Sequence, residues 1–131
     1  MKILLVDDDL TNRLLLQHLL KRYGTPDVAV NGVEAVEAVR LALEVGEPFN
    51  LICLDIMMPR MDGHDALKQI RALEEAKGIW STEGAKIVMT TALSDMKNVN
   101  TSFGGLCDGY LTKPIDKAKL VETLRQLALI E

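Results

Sequence analysis

Aromatic residues make up only 4% of this 131-residue chain, so its core has to be built from Leu, Val, Ile, Ala and Met. Cysteine is nearly absent. Cys53 and Cys107 lack metal-ligand spacing, which argues against a disulfide scaffold and for reduced thiols in a cytoplasmic protein. No stretch approaches the roughly 18 apolar residues that a membrane span needs. The opening apolar run, residues 3–6, is too short for a signal peptide. Positive charge is also in deficit. A net charge of -4 and a pI near 5.2 leave no basic face for nucleic acid. Repeats, low-complexity segments and linkers are missing as well. What remains, 48% hydrophobic and 26% charged residues, is the balance of one soluble domain, too small for two cores.

The most informative stretch is NLICLDIMMPRMDG, residues 50–63. Its apolar run is too short for a helix and suits a strand buried on both faces. The run ends on Asp55, and a carboxylate closing a buried strand stands at the edge where open α/β sheets bind ligands. Pro59 and Asp62-Gly63 then force a loop.

The same alternation runs along the chain. Residues 3–6 form a strand that stops at Asp7, Asp8 and Asp9. A helix is expected over 11–23, capped by Thr11 or Asp9, with Leu14, Leu15, Leu19 and Leu20 as its apolar stripe. Residues 27–30 read as an edge strand, and Asn31-Gly32 leads into a helix ending near Glu44. Ala66, Leu67, Ile70 and Leu73 mark a further helix reaching about Lys77. The loop 78–84 is expected to pack Trp80 down on that helix end. Strands follow at 87–91 and 110–112, separated by a polar segment, 94–103, that reads poorly as a helix. Asp116 caps the last helix, with Leu120, Val121 and Leu124 on its apolar face. Five strands joined by helix-length crossovers imply an α/β three-layer sandwich of the flavodoxin-like (βα)5 kind. The expected parallel sheet order is 2-1-3-4-5. No glycine-rich dinucleotide fingerprint follows the first strand.

This topology collects the polar strand ends. Asp7 and Asp8 end the first strand, Asp55 the third and Thr91 the fourth, while Lys113 follows the fifth. Three carboxylates beside one ammonium are costly unless a cation neutralises them. An all-oxygen set of this kind suits octahedral Mg²⁺.

ILLVDDD at residues 3–9, LDIMMPRMDG at 54–63, Thr91-Ala92 and YLTKP at 110–114, in this order and spacing, resemble the receiver domains of two-component response regulators. The single-domain chemotaxis regulator is the familiar example. The resemblance implies that Asp55 is the phosphoryl acceptor, and that Asp7, Asp8, Asp55 and the backbone carbonyl of Met57 hold Mg²⁺. It implies further that Lys113 pairs with phosphoryl oxygens, that Thr91 and Tyr110 form the moving switch pair, and that the Lys113-Pro114 bond is cis. The implied partners are a sensor histidine kinase or histidine phosphotransfer protein upstream and an unidentified protein target downstream, without nucleic acid or membrane. Receivers are phosphoacceptors that carry out their own phosphotransfer and dephosphorylation rather than turning over an external substrate. Residues 1–131 are expected to be a single receiver domain with no output domain, and a monomer, with weak dimerisation after phosphorylation.

Two other functions compete. One is a partner-binding pseudo-receiver that works without phosphate; the complete set of Asp7, Asp8, Asp55, Thr91 and Lys113 argues against it. The other is a phosphohydrolase of the haloacid-dehalogenase kind, which carries a second Asp two residues after its nucleophile. This chain has Met57 there. Met57 and Leu93 are expected to flank the site, with Arg60 at its mouth. His18 and His64 lack metal-ligand spacing, and Met57, Met58 and Met61 are expected to pack their loop.

Overall fold

Apolar runs of three to seven residues form the strands of the computed structural model, and amphipathic segments cover them. The structure describes residues 1–80, 83–92 and 106–131. Their elements are β1 (Ile3–Val6), α1 (Leu10–Leu20), β2 (Asp27–Ala29), α2 (Gly32–Glu44), β3 (Leu51–Asp55), α3 (Gly63–Ala76), β4 (Lys86–Ala92), β5 (Gly109–Lys113) and α4 (Lys117–Gln126). The strands make one parallel sheet in the order β2-β1-β3-β4-β5. This is the flavodoxin-like arrangement the strand spacing predicts. The segment 94–103 and Leu93 lie outside the described residues.

Residue alternation divides the core into two layers. Leu4, Ile52, Leu54, Ile87 and Met89 face α2 and α3. Ile3, Leu5, Cys53, Val88 and Leu111 face α1 and α4. The central strands β1 and β3 are buried along their whole length, because both faces are covered. Among the described residues no helix is long and apolar enough to cross a membrane.

Among the described residues each helix begins with a side-chain cap. Asp9, Asn31, Asp62 and Asp116 accept hydrogen bonds from the N–H groups of Thr11, Glu34, Asp65 and Ala118. The four caps start the helices at fixed residues just past the carboxyl ends of β1, β2, β3 and β5. Functional side chains are thereby confined to short loops.

Three expectations need correction. Helix α1 starts at Leu10 and ends at Leu20; Leu20 is buried and Leu19 packs on the core as anticipated, but Leu16 is buried in place of Leu14 and Leu15. Leu14 and Leu15 face solvent. Five leucines in seven positions leave the phase of the helix undefined, and contact with Ile3 and Leu5 selects it. Trp80 does not pack on α3; it is 75% exposed. The loop turns its backbone inward there, where the Trp80 carbonyl accepts from Glu83 and Gly84 N–H, and the ring is left outside. Met58 and Met61 pack on the core as expected, whereas Met57 is exposed.

Candidate phosphoacceptor site

The register of the sheet brings Asp7, Asp8, Asp55 and Lys113 together. One carboxylate oxygen from each of the three aspartates lies within 4.8 Å of the others. Lys113 Nζ lies 3.1 Å from Asp7 Oδ2 and 3.2 Å from Asp55 Oδ1. Asp7 and Asp55 are buried, and Asp8 stands at the mouth. Gly63 closes the pocket floor: a Cβ there would lie 2.4 Å from the Asp55 carbonyl oxygen, so only glycine allows this approach.

The two buried carboxylates are held differently. Asp7 Oδ1 accepts from Asp9 N–H at 2.9 Å, and the guanidinium of Arg13 donates to the Asp7 carbonyl at 2.7 Å. Asp7 Oδ2 is buried and lacks an aligned hydrogen bond, its contact with Lys113 being a charge pair only. Asp55 Oδ1 receives the Met57 N–H at 3.3 Å, near the limit for such a bond.

One ammonium therefore serves two buried carboxylates. Burial, then the charge of Asp7, pushes the Asp55 carboxyl up to about 6, and Lys113 offsets only part of this. Burial by itself pulls the Lys113 ammonium down, yet Asp55 and Asp7 together raise it above its ordinary value. Two buried carboxylates share one ammonium, which leaves the site one positive charge short before Asp8 is counted. That shortfall, the orphaned Asp7 oxygen and an all-oxygen donor set fit a hard divalent cation such as Mg²⁺.

The remaining expected residues divide by position. Thr91 is buried near the end of β4, where, among the described residues, its hydroxyl makes one long contact of 3.4 Å to the Ala92 carbonyl. Tyr110 pairs with Met89 across β4 and β5, which places it on the same sheet face as Thr91. Burial and the adjacent Cys107 push its phenol up to about 12. The Lys113-Pro114 bond is cis. Met57 reaches Asp55 through its backbone. Arg60 and His18 are exposed, and His64 is half-buried in the first turn of α3. Away from the site, a groove of about 430 Å³ lined by Phe49, Ile79 and Leu127 opens at the other end of the sheet.

Sequence reasoning missed a second polar cluster. Arg71 and Glu74 are buried and ion-paired on α3, and Arg71 also pairs with Asp108. A signal was present: Arg71 follows Leu67 by four residues, and Glu74 follows Ile70 by four. Both charges therefore fall on the apolar face.

The profile of the response regulator receiver domain matches residues 3–125, and the chain belongs to that family. It is a two-component receiver related to those of histidine kinases. It is 33% identical over 129 residues to the sensory/regulatory protein RpfC of Xanthomonas campestris pv. campestris, covering 98% of this chain and 17% of that protein. It resembles the magnesium-bound receiver domain of the sensor histidine kinase PA1611 of Pseudomonas aeruginosa, with a TM-score of 0.74, 25% identity and 97% of each chain covered. A chain of the Saccharomyces cerevisiae co-crystal of the phosphotransfer protein Ypd1 with the Ssk1 receiver domain matches with a TM-score of 0.78 and 29% identity, over 98% of this chain and 89% of that one. The chain spans 13% to 17% of the length of the first curated relatives it matches.

Proposed function

We propose that Asp55 accepts a phosphoryl group from a phosphohistidine on a sensor kinase or phosphotransfer protein, and that the phosphorylated chain signals through protein contacts. The observation that carries this reading is Lys113 Nζ held 3.2 Å from Asp55 Oδ1 inside the three-aspartate cluster.

In this reading an Asp55 oxygen forms the new P–O bond while the P–N bond of the phosphohistidine breaks. The imidazole leaves with the electron pair and takes a proton from solvent. Asp7, Asp8, Asp55 and the Met57 carbonyl would hold Mg²⁺, which when bound neutralises charge on the transferring oxygens. Lys113, already aligned on Asp55, pairs with a phosphoryl oxygen and offsets the added charge. The Thr91 hydroxyl, whose contact to the Ala92 carbonyl is long, would donate to the phosphoryl group. Tyr110 shares its sheet face and can move with it.

Partner docking has a surface to use. Leu10, Leu14 and Leu15 are exposed on α1, the helix that follows Asp7, Asp8 and Asp9, as are Met57 and Arg60 in the loop that follows Asp55. An apolar rim around a charged well suits a helical protein that presents a phosphohistidine. Residues 1–131 act here as one monomeric receiver unit, with the downstream contact on protein rather than nucleic acid.

The test is incubation with Mg²⁺ and acetyl phosphate, read by intact mass. One Mg²⁺-dependent phosphoryl group is expected on the parent and none on Asp55→Asn. A folded parent that takes up none would favour phosphate-independent partner binding.

A further inference from the structure

Arg71 lies on α3 and is 7% exposed, and beyond its helix neighbour Glu74 its hydrogen bonds reach the start of β4 and the approach to β5. Its Nη1 donates to Glu74 Oε1 at 2.7 Å and to the Ala85 carbonyl at 2.9 Å. Its Nε donates to the Leu106 carbonyl at 2.8 Å, and its Nη2 to Asp108 Oδ2 at 2.9 Å. The same Asp108 oxygen accepts the Ile87 N–H at 2.8 Å, and Asp108 N–H donates to the Ile87 carbonyl at 2.8 Å.

The β4–β5 pairing begins with Val88 opposite Gly109. One residue earlier, where a parallel ladder would pass the β4 N–H to a carbonyl of the neighbouring strand, the Ile87 N–H is taken by the Asp108 carboxylate, which Arg71 holds, and the Asp108 N–H bonds the Ile87 carbonyl. The start of the β4–β5 ladder is therefore tied by the Asp108 side chain and by Arg71.

Register matters because β5 is the edge strand and pairs only with β4. It opens on Gly109 and carries Lys113 opposite Ala92. A one-residue slip turns every side chain of a strand to the other face. Such a slip would take Lys113 away from Asp7 and Asp55.

We propose that Arg71 and Asp108 are positioning residues for phosphoryl transfer: a pin at the amino edge of the sheet that sets where Lys113 stands at the carboxyl edge. This rests on the phosphoacceptor reading above. The pin acts through β5 and leaves Asp7, Asp8 and Asp55, on β1 and β3, in place.

The test compares the rate of phosphorylation by acetyl phosphate with Mg²⁺ affinity by calorimetry, for Asp108→Ala and Asp108→Asn, in the parent and in Lys113→Ala. Asp108→Ala is expected to slow phosphorylation about 10- to 100-fold, the loss a misplaced group causes. Mg²⁺ affinity should stay within about twofold. Asp108→Asn keeps an oxygen at the same place and should retain most of the rate. In the Lys113→Ala background Asp108→Ala should cost nothing further, because the two act as one unit. Should Asp108→Ala fail to fold, Asp108→Glu, which displaces the oxygen by one methylene, should show the same loss. An unchanged rate in Asp108→Ala, or an equal fall with Lys113 absent, overturns the pin. A parent that takes up no phosphoryl group overturns the phosphoacceptor reading, and the pin's role in transfer with it.

Discussion

At the amino edge of the sheet, Arg71 and Glu74 are buried and Asp108 half-buried, and the polar contacts they make are hydrogen bonds of 2.7 to 2.9 Å. At the carboxyl edge, Asp7, Asp55 and Lys113 also bring together two carboxylates and one cation, with Asp8 beside them. The charge count of the two trios is the same. The difference is in how the carboxylates are held. Glu74 and Asp108 each receive an N–H at 2.8 Å and share the Arg71 guanidinium. Asp7 receives one N–H at 2.9 Å on Oδ1, Asp55 one at 3.3 Å, and Asp7 Oδ2 faces the Lys113 ammonium without an aligned hydrogen bond. A satisfied, largely buried cluster holds structure together. One with weaker donors and a third carboxylate, Asp8, beside it is a place prepared for a cation and an incoming anion.

The comparison gives charge removal opposite signs at the two edges. Arg71→Met strands Glu74 in a nearly dry site and should cost about 3–5 kcal/mol in urea unfolding. A cost under about 1 kcal/mol would show that the amino-edge network is not structural.

Asp55→Asn should do the reverse. The folded-state carboxyl titrates near 6, above its ordinary 3.8, so at neutral pH without metal the parent carries a charge it would rather not bury. The variant should be more stable there by about 1–3 kcal/mol, the order that a two-unit shift represents. Between about pH 4 and 6 the folded parent holds a proton that the unfolded chain has released, so its stability falls as pH rises through this window. Asp55→Asn should lack that slope.

Trp80→Ala gives the smallest effect. With the ring exposed and the loop held by its backbone, thermal unfolding should change by less than about 0.5 kcal/mol. A loss of several kcal/mol would restore the packing role that the sequence first assigned to Trp80.

The carboxyl edge was legible because each of its residues stands at or just after the end of a short apolar run, and chain order converts that into adjacency. The amino edge was not, because Arg71 and Asp108 meet across 37 residues of sequence and only one of them sits in a periodic segment. Helix faces fell between. Ile70 and Leu67 on α3 were read correctly, since their neighbours are polar. In α1 the run Leu14, Leu15, Leu16 carries no phase, and only the sheet beneath chose Leu16.

The most direct test of an under-neutralised carboxyl edge is the stability difference between the parent and Asp55→Asn, measured from pH 4 to 8 with and without Mg²⁺. Without the ion, the parent should lose ground to the variant between about pH 4 and 6 and stay lower above it. With Mg²⁺ near 100-fold over its dissociation constant, the parent should gain about 2.7 kcal/mol, and the slope should reverse because the ion binds the ionised carboxylates. A difference that is flat with pH and indifferent to Mg²⁺ would mean that Asp55 is already neutralised by Lys113, and would contradict the account.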